Sequence, residues 1–143
     1  MTAKPEDMAV QDLLPHRWPM VMIDSLLEAS SERGVAVKTF RPEDYGLDGD
    51  YVCEPMLIEC VAQTTAAMFG CHRLSNPGET GLGFLAALSS FSFGRRVKVN
   101  ELLRIEAQVD RVFGAMYMIK GKVLAGQEQV ADGEIKIYLQ SEK

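Results

Sequence analysis

The chain has 143 residues, 47% of them hydrophobic and 24% charged, with a formal net charge of -5. This composition is typical of a soluble globular protein, and the length suits a single domain, residues 1–143, that can bury a core. The acidic balance argues against a general nucleic-acid binder, because such proteins present a basic surface to the phosphate backbone.

The N-terminus and the cysteines indicate the cellular setting. Residues 1–8 include acidic side chains and no apolar core, so they are not typical of a signal peptide. Cys53, Cys60 and Cys71 are odd in number and lack the spacing of zinc ligands. We therefore expect reduced thiols, a cytoplasmic protein and no metal site.

Two strands are predicted before residue 41. Residues 20–27 and 35–40 have the composition of strands, and the turn-forming residues 30–34 separate them. The fold is therefore expected to begin with a pair of strands.

A buried helix is predicted after these strands. Pro55 suits a first helical position, and Gly70 supplies a stop signal about four turns later. From residue 56 to residue 71 the only charged side chain is Glu59, so the helix has no solvated face. A membrane span is the competing interpretation, but the run is shorter than the about 20 residues that a bilayer requires. We therefore expect a helix that other structure surrounds.

Four further strands are predicted downstream. Residues 83–93 are long and apolar, residues 103–109 alternate between apolar and polar side chains, and residues 116–124 and 130–139 complete the set. Two strands, one helix and four strands indicate an α+β fold rather than alternating strands and helices. The expected architecture is an antiparallel sheet curled around one central helix.

Glu59 requires an explanation within this helix. An ionised carboxylate in an apolar interior costs several kcal/mol unless it is paired or takes up a proton. Glu59 is therefore a surface residue, a structural carboxylate bonded to Gln63 or to the backbone, or a group kept for chemistry. A desolvated carboxyl group can hold a proton near neutral pH and donate it, which is what an acid catalyst needs.

Several stretches of the chain carry a family resemblance. Residues 14–24 are L-P-H-R-W-P-M-V-M-I-D, residues 56–63 are M-L-I-E-C-V-A-Q, and residues 84–86 and 93–97 are F-L-A and F-G-R-R-V. In this order they resemble the opening, helix and strand motifs of the β-hydroxyacyl-acyl-carrier-protein dehydratases of fatty-acid synthesis, in which the helix Glu is catalytic. The resemblance implies a hotdog fold, with dimers whose sheets join and whose active sites are shared across the interface.

One departure from this family falls in the loop before the helix. The family's catalytic His lies in a G-H-F-P loop, and counting back from Glu59 places Tyr45 at that position. The family's small Gly, whose backbone N–H meets the substrate carbonyl, falls at Glu54, and the next residue, Pro55, has no N–H. The chain therefore resembles the divergent dehydratase-like proteins of aryl-polyene and related lipid gene clusters, some of which also lack this His.

The candidate catalytic groups follow from the expected chemistry. Removing water from a 3-hydroxyacyl thioester requires a base for the proton beside the carbonyl and an acid for the departing hydroxyl. Glu59 is expected to be the acid and His16 the second group, with Tyr45 as the other candidate. A structural role for His16 and a gating role for Tyr45 remain alternatives. Substrate contacts are expected from Met56, Gln63, Phe84 and Leu85.

The basic group Arg95, Arg96 and Lys98 has two interpretations. It is a solvated strand end or, as the resemblance implies, the docking site for an acidic acyl carrier protein or its phosphopantetheine arm. No separate cofactor is expected, because the substrate is carried on phosphopantetheine or CoA. A homodimer is expected, with a heterodimer or a higher oligomer as alternatives, and neither nucleic acid nor a membrane is an expected partner.

The resemblance thus implies a dehydratase that converts carrier-bound 3-hydroxyacyl thioesters into 2-enoyl thioesters in fatty-acid or polyene biosynthesis. A hotdog acyl thioesterase is the second hypothesis. A non-catalytic acyl-binding protein, or a pseudo-enzyme subunit that completes a partner's active site, is the third. Because the loop His is missing, this third hypothesis is favoured more strongly for this chain than for an ordinary family member.

Overall fold

The computed structural model describes residues 4–75 and 81–141, without the side chains of residues 81–84, 140 and 141. A short 3-10 turn at Pro5–Asp7 precedes the helices α1 (Val10–Leu13) and α2 (Glu54–Ser75). The strands are β1 (Ser25–Ala29), β2 (Arg33–Thr39), β3 (Leu47–Asp48), β4 (Tyr51–Val52), β5 (Gly81–Phe93), β6 (Leu102–Phe113), β7 (Met116–Ala125) and β8 (Glu128–Ser141).

Six of these strands form one antiparallel sheet in the order β1-β2-β6-β7-β8-β5. Among the described strands β5 pairs with β8 alone and therefore forms one edge of the sheet. The short strands β3 and β4 pair with each other just before α2. The predicted plan of two strands, one long helix and four strands is confirmed, with the small β3–β4 pair added.

The inner face of the sheet packs against α2. The predicted alternation in β6 is confirmed, because Leu103, Ile105 and Ala107 are buried while the residues between them are not fully buried. In β7 the helix approaches so closely that a Cβ at Gly121 would overlap the Val61 side chain. The missing side chain at this position lets the helix lie directly on the sheet.

Several predicted boundaries differ from the structure, and two of these differences have a tertiary cause. The helix spans 22 residues and continues past Gly70 to Ser75. Gly70 does not end the helix but allows a close contact, because a Cβ there would overlap the backbone of Leu13. The first strand begins at Ser25 rather than at residue 20, because residues 20–22 are hydrogen-bonded to a helix side chain. No helix in the described part of the chain is long and apolar enough to cross a membrane.

The expectation that α2 has no solvated face is wrong for a single chain. Glu59, Ala62, Ala66 and Phe69 are partly exposed and recur every three or four residues, so they form one stripe along the helix. The sheet and the N-terminal segment cover the other sides of α2. Between its exposed ends, this helix stripe is a side of α2 that its own chain leaves partly accessible.

Candidate active site

The segment before β1 runs along α2 and brings His16 to Glu59. His16 Nε2 lies 3.8 Å from Glu59 Oε1, and each side chain is 32% exposed. The two residues are far apart in the sequence, so only the path of the segment places them together. This distance allows an electrostatic interaction and a proton transfer after a small movement, but it is too long for a hydrogen bond.

Gln63 joins the same segment to the helix. Its side chain is 1% exposed, and its Oε1 accepts a hydrogen bond from the backbone N–H of Met22 at 2.7 Å. Its Nε2 donates to the carbonyl of Met20 at 2.8 Å and to Glu59 Oε1 at 2.8 Å. Both amide hydrogens are therefore in use, which leaves no amide donor for a substrate.

Three further hydrogen bonds hold the His16 segment in place. The Cys60 thiol donates to the carbonyl of Met22 at 3.1 Å, and burial raises the pKa of this thiol far above its ordinary range. Arg17 Nη1 donates to the carbonyls of Leu14 and His16 at 3.0 and 2.7 Å. Cys60 is therefore a structural thiol and not a nucleophile, and Arg17 holds the turn that carries His16.

The surroundings of the pair differ from the expectation of a fully enclosed carboxylate. Glu59 belongs to the exposed helix stripe, so one chain alone leaves the carboxyl group partly open to water. His16 Nδ1, in contrast, is buried, and no hydrogen-bond partner for it lies in the described residues. A buried polar atom without a partner is costly, which is more typical of functional sites than of structural ones.

The loop that carries Tyr45 lies beside the start of α2. Gly46 contacts Met56 at a positive φ of 86°, and its carbonyl accepts from Cys53 N–H at 2.8 Å. Tyr45 itself is 53% exposed, and no hydrogen bond among the described residues joins it to Glu59 or His16. The structure therefore brings Glu59, His16 and Gln63 together and leaves Tyr45 in the exposed loop before α2.

The first turn of α2 offers few donors for a substrate carbonyl. Pro55 has no N–H, and Met56 N–H is already bonded to the carbonyl of Cys53 at 2.9 Å. Of the other predicted substrate contacts, Leu85 is 45% exposed on the edge strand β5, and the side chain of Phe84 lies outside the described residues.

A buried lysine near the site was missed by the sequence analysis. Lys38 is 6% exposed, and its Nζ lies 3.4 Å from Asp24 Oδ1 and 3.6 Å from Asp44 Oδ2. Its alternation with Ala36 and Phe40, both buried, was the available signal, because residues two apart in a strand share a face. This ion cluster ties the loop before Tyr45 to strand β2.

The predicted docking residues form a separate cluster at the turn before β6. Arg95 bonds Glu101 through two nitrogens, at 2.9 and 3.1 Å, and Glu128 at 3.0 Å. The Arg95 guanidinium, and then Lys98 N–H, hold the pKa of the Glu101 carboxyl below its ordinary value. Arg95 is thus committed within the chain, which makes Arg96 and Lys98 the more accessible members.

Arg96 and Lys98 share an aromatic neighbour. The Arg96 guanidinium lies 4.3 Å from the centre of the Tyr51 ring and 3.1 Å from Asp48. Lys98 Nζ lies 5.8 Å from the same ring. The side chains of Arg96 and Asp48 are 50% and 76% exposed, so this edge presents cations to solvent.

In the described ranges, no group of three or more His, Cys, Asp or Glu residues is arranged to hold a metal ion.

Comparisons with known proteins agree with the resemblance. A family model described as ApeP-like, ApeP dehydratase, matches residues 8–143. The 3-hydroxyacyl-[acyl-carrier-protein] dehydratase FabZ of Natranaerobius thermophilus is 31% identical over 137 residues, which cover 91% of this chain and 94% of that protein. FabZ of Bacillus pumilus is 30% identical over 129 residues, covering 88% and 85%.

Solved structures share the fold at low sequence identity. The dehydratase heterocomplex ApeI:P from Xenorhabdus doucetiae superimposes with a TM-score of 0.85 at 19% identity, covering 93% of this chain and 91% of that chain. The PaaI protein of E. coli superimposes with a TM-score of 0.64 at 16% identity, covering 79% and 80%. The predicted hotdog fold, an antiparallel sheet around one long helix, is therefore confirmed.

Proposed function

Because the chain belongs to the ApeP-like dehydratase family, we propose that it removes water from 3-hydroxyacyl thioesters, with Glu59 and His16 as the reacting pair. The FabZ relatives are 3-hydroxyacyl-[acyl-carrier-protein] dehydratases, which supports substrates attached to an acyl carrier protein in fatty-acid or polyene biosynthesis. The proposal for the site rests on one observation: His16 lies beside Glu59 in a chain without the family's loop His.

The proposed step assigns one proton transfer to each residue. His16 Nε2 accepts the proton from C2, and the electron pair of that C–H bond forms the C2=C3 double bond. Glu59 donates its proton to the C3 hydroxyl group, the C3–O bond breaks, and water leaves. The pair is then restored through solvent, which takes the proton from His16 and returns one to Glu59.

In the family, the backbone N–H of a small Gly meets the thioester oxygen. This chain needs a different hydrogen-bond donor. Pro55 and Met56 do not supply free N–H groups, so the positive end of the α2 dipole and the loop before α2 are the candidate sources of a donor. Tyr45 carries a phenolic O–H in this loop. We assign Tyr45 a lesser role, as a wall or donor at the site entrance rather than as the base.

The proposed assembly contains at least two chains. The edge strand β5 carries the exposed Leu85 and Leu88, and the helix stripe leaves Glu59 partly open, so a second chain has both an edge to extend and a site to close. A homodimer is the first assignment. The ApeI:P structure is described as a heterocomplex, so pairing with a second dehydratase chain is the alternative.

The proposed partner is an acyl carrier protein, with acyl-CoA as the alternative. The exposed cations Arg96 and Lys98 support docking of an acidic carrier or of its phosphate. The proposal needs no further cofactor, since the thioester activates the C2 proton by itself. A cytoplasmic location follows from this biosynthetic role.

The product identifies the reaction. In this experiment the purified protein is incubated with a 3-hydroxyacyl carrier thioester, both alone and together with a candidate partner dehydratase. The mass of the acylated carrier is then measured by mass spectrometry. We expect the acylated carrier to lose the mass of one water. We expect Glu59→Gln to lower the rate of dehydration at least about a hundredfold. Glu28→Gln, an exposed glutamate on β1 whose carboxyl group lies beside Arg33, is the matched control and should keep the rate.

Other outcomes of this assay contradict the proposal in distinct ways. Release of free carrier thiol without enoyl product indicates the thioesterase. Dehydration that survives Glu59→Gln removes Glu59 from the mechanism. Activity that appears only with a partner, and that is insensitive to Glu59→Gln, indicates a non-catalytic subunit.

A further inference from the structure

Gln63 connects the two elements that carry the reacting pair. We propose that Gln63 is the positioning residue of this site: it determines which oxygen of Glu59 exchanges the proton, and it sets the place of the His16 segment on α2. The catalytic consequence rests on the proposed function, whereas the geometry does not. Gln63 acts through Glu59 and does not touch the substrate, because it is 1% exposed and its amide hydrogens are both in use.

The orientation of the Gln63 amide is forced by the backbone. The N–H of Met22, 2.7 Å away, can only donate, so the atom that faces it must be Oε1. The carbonyl of Met20, 2.8 Å away, can only accept, so it must face Nε2. With both ends fixed, the second Nε2 hydrogen has to point at Glu59 Oε1, also 2.8 Å away.

This orientation makes the two oxygens of Glu59 unequal. Oε1 receives the Gln63 N–H and faces His16 Nε2, whereas no donor for Oε2 lies among the described residues. An oxygen that already accepts a hydrogen bond is the poorer place for the carboxyl proton. The proton that Glu59 gives to the substrate hydroxyl is therefore held on Oε2.

The same amide places the His16 segment. Gln63 holds Met20 and Met22, a few residues after His16, and the neighbouring helix residue Cys60 holds Met22 from the other side. The segment cannot slide along α2 without breaking bonds that water does not replace at a buried position. The separation between His16 and Glu59 is thus set by hydrogen bonds from Gln63 and Cys60 to the segment, in which neither His16 nor Glu59 takes part.

A kinetic comparison tests this role. Gln63→Glu keeps the shape but puts a second carboxyl group beside Glu59 and removes the donor to Oε1, and two adjacent carboxyl groups bind one proton more tightly. We expect kcat to fall at least about tenfold with KM within about twofold, and the alkaline limb of the kcat profile to move up by about one pH unit. A KM increase with kcat and the pH profile unchanged overturns the proposal, because it indicates substrate contact.

Thr65→Val is the matched control on the same helix. Thr65 is fully buried and donates its hydroxyl to the carbonyl of Val61 at 3.0 Å, so the variant also loses a buried hydrogen bond. We expect it to keep the wild-type pH profile. A profile shift of equal size in Thr65→Val overturns the positioning role, since any loosening of the helix would then cause it.

A second measurement is independent of activity. The side-chain amide protons of Gln63 are followed by NMR in the wild-type protein, Glu59→Ala and Thr65→Val. We expect slow exchange with water in the wild type, and a shift of one amide proton in Glu59→Ala alone. An unchanged amide signal in Glu59→Ala overturns the inference even if the enzyme is active. The expected signal in a protein without dehydratase activity rejects the proposed function and leaves the positioning intact.

Discussion

Two glutamates of this chain have similar exposure and opposite surroundings. Glu101, 30% exposed, receives hydrogen bonds on both oxygens, from the Arg95 guanidinium at 2.9 and 3.1 Å and from Lys98 N–H at 2.8 Å. Glu59, 32% exposed, receives a single hydrogen bond from the described residues, on Oε1, and His16, which can carry a positive charge, is 3.8 Å away.

The comparison separates a fully paired carboxylate from a partly paired one. Full pairing lowers the proton affinity of Glu101, which holds its carboxyl in the ionised form and stabilises the turn before β6. Incomplete pairing leaves Glu59 with an oxygen that can take and give a proton. Exposure alone does not distinguish the two residues, whereas the number of donors on each carboxyl does.

The largest expected effect comes from His16. His16→Ala leaves Glu59 without a proton partner, so we expect kcat for 3-hydroxyacyl carrier thioesters to fall about a hundredfold or more. The free energy of unfolding should change by less than about 1 kcal/mol, since this partly exposed side chain makes no hydrogen bond with the residues that the structure describes. Enzyme kinetics and chemical denaturation on one preparation measure both quantities.

The chain's second histidine provides the control for this experiment. His72→Ala lies near the end of α2, and we expect its rate to stay within about twofold of wild type. The double variant His16→Ala, Glu59→Gln should lose little more than either single variant, because residues that act as a unit are not additive. Additive losses would contradict a shared step.

A third acidic group sharpens the comparison in a more buried setting. Asp44 is paired with the buried Lys38, so Asp44→Asn weakens an ion cluster from which water is largely excluded. We expect the free energy of unfolding to fall by about 2 kcal/mol. Asp48→Asn, whose partner Arg96 is exposed, should change it by less than about 0.5 kcal/mol. Urea denaturation measures both changes. Equal losses of unfolding free energy in the two variants would show that burial does not strengthen the Asp44–Lys38 pair.

The pH dependence of stability tests the paired glutamate. A lowered pKa means that Glu101 contributes its full stability above the ordinary glutamate pKa of about 4.3 and loses it as pH falls through the lower folded-state value. Glu101→Gln should therefore unfold more easily at neutral pH, and the difference from wild type should shrink in acid. Urea denaturation across this range measures it, and a constant difference would contradict the assignment.

The smallest expected effect concerns carrier docking. Arg96→Gln removes an exposed cation while Arg95 keeps the turn in place, so we expect KM for the carrier-bound substrate to rise only severalfold. The KM for a small thioester without a carrier protein should not change. A rise in both values would place Arg96 at the acyl site rather than at a docking surface.

The fold was predictable because its periodicities are local. The alternation of Leu103, Ile105 and Ala107 predicted β6, and the uninterrupted apolar run around Glu59 predicted the central helix. The sequence wrongly predicted that the helix ends at Gly70. This glycine instead packs against Leu13, a residue that is distant in the sequence. Local stop signals cannot show whether a glycine ends a helix or admits a neighbour.

The candidate residues could be selected from the sequence, whereas the contacts between them could not be predicted. His16 and Glu59 were selected from motifs, and the structure places them together. Gln63 was expected to touch substrate, yet its buried amide is bonded to backbone and to Glu59. Lys38 was not recognised as buried, although its place in the β2 alternation carried that information.

The sequence by itself determined the long helix, the six main strands, their order and the residues able to exchange protons, because periodicity and side-chain chemistry are local properties. Only the tertiary structure decided which donors reach which carboxylate. Glu59 and Glu101 differ through partners that the folded backbone brings to them, from Gln63 with His16 on one side and from Arg95 with Lys98 on the other. Hydrogen bonds act over about 3 Å, and that precision in distance exists only after the chain has folded.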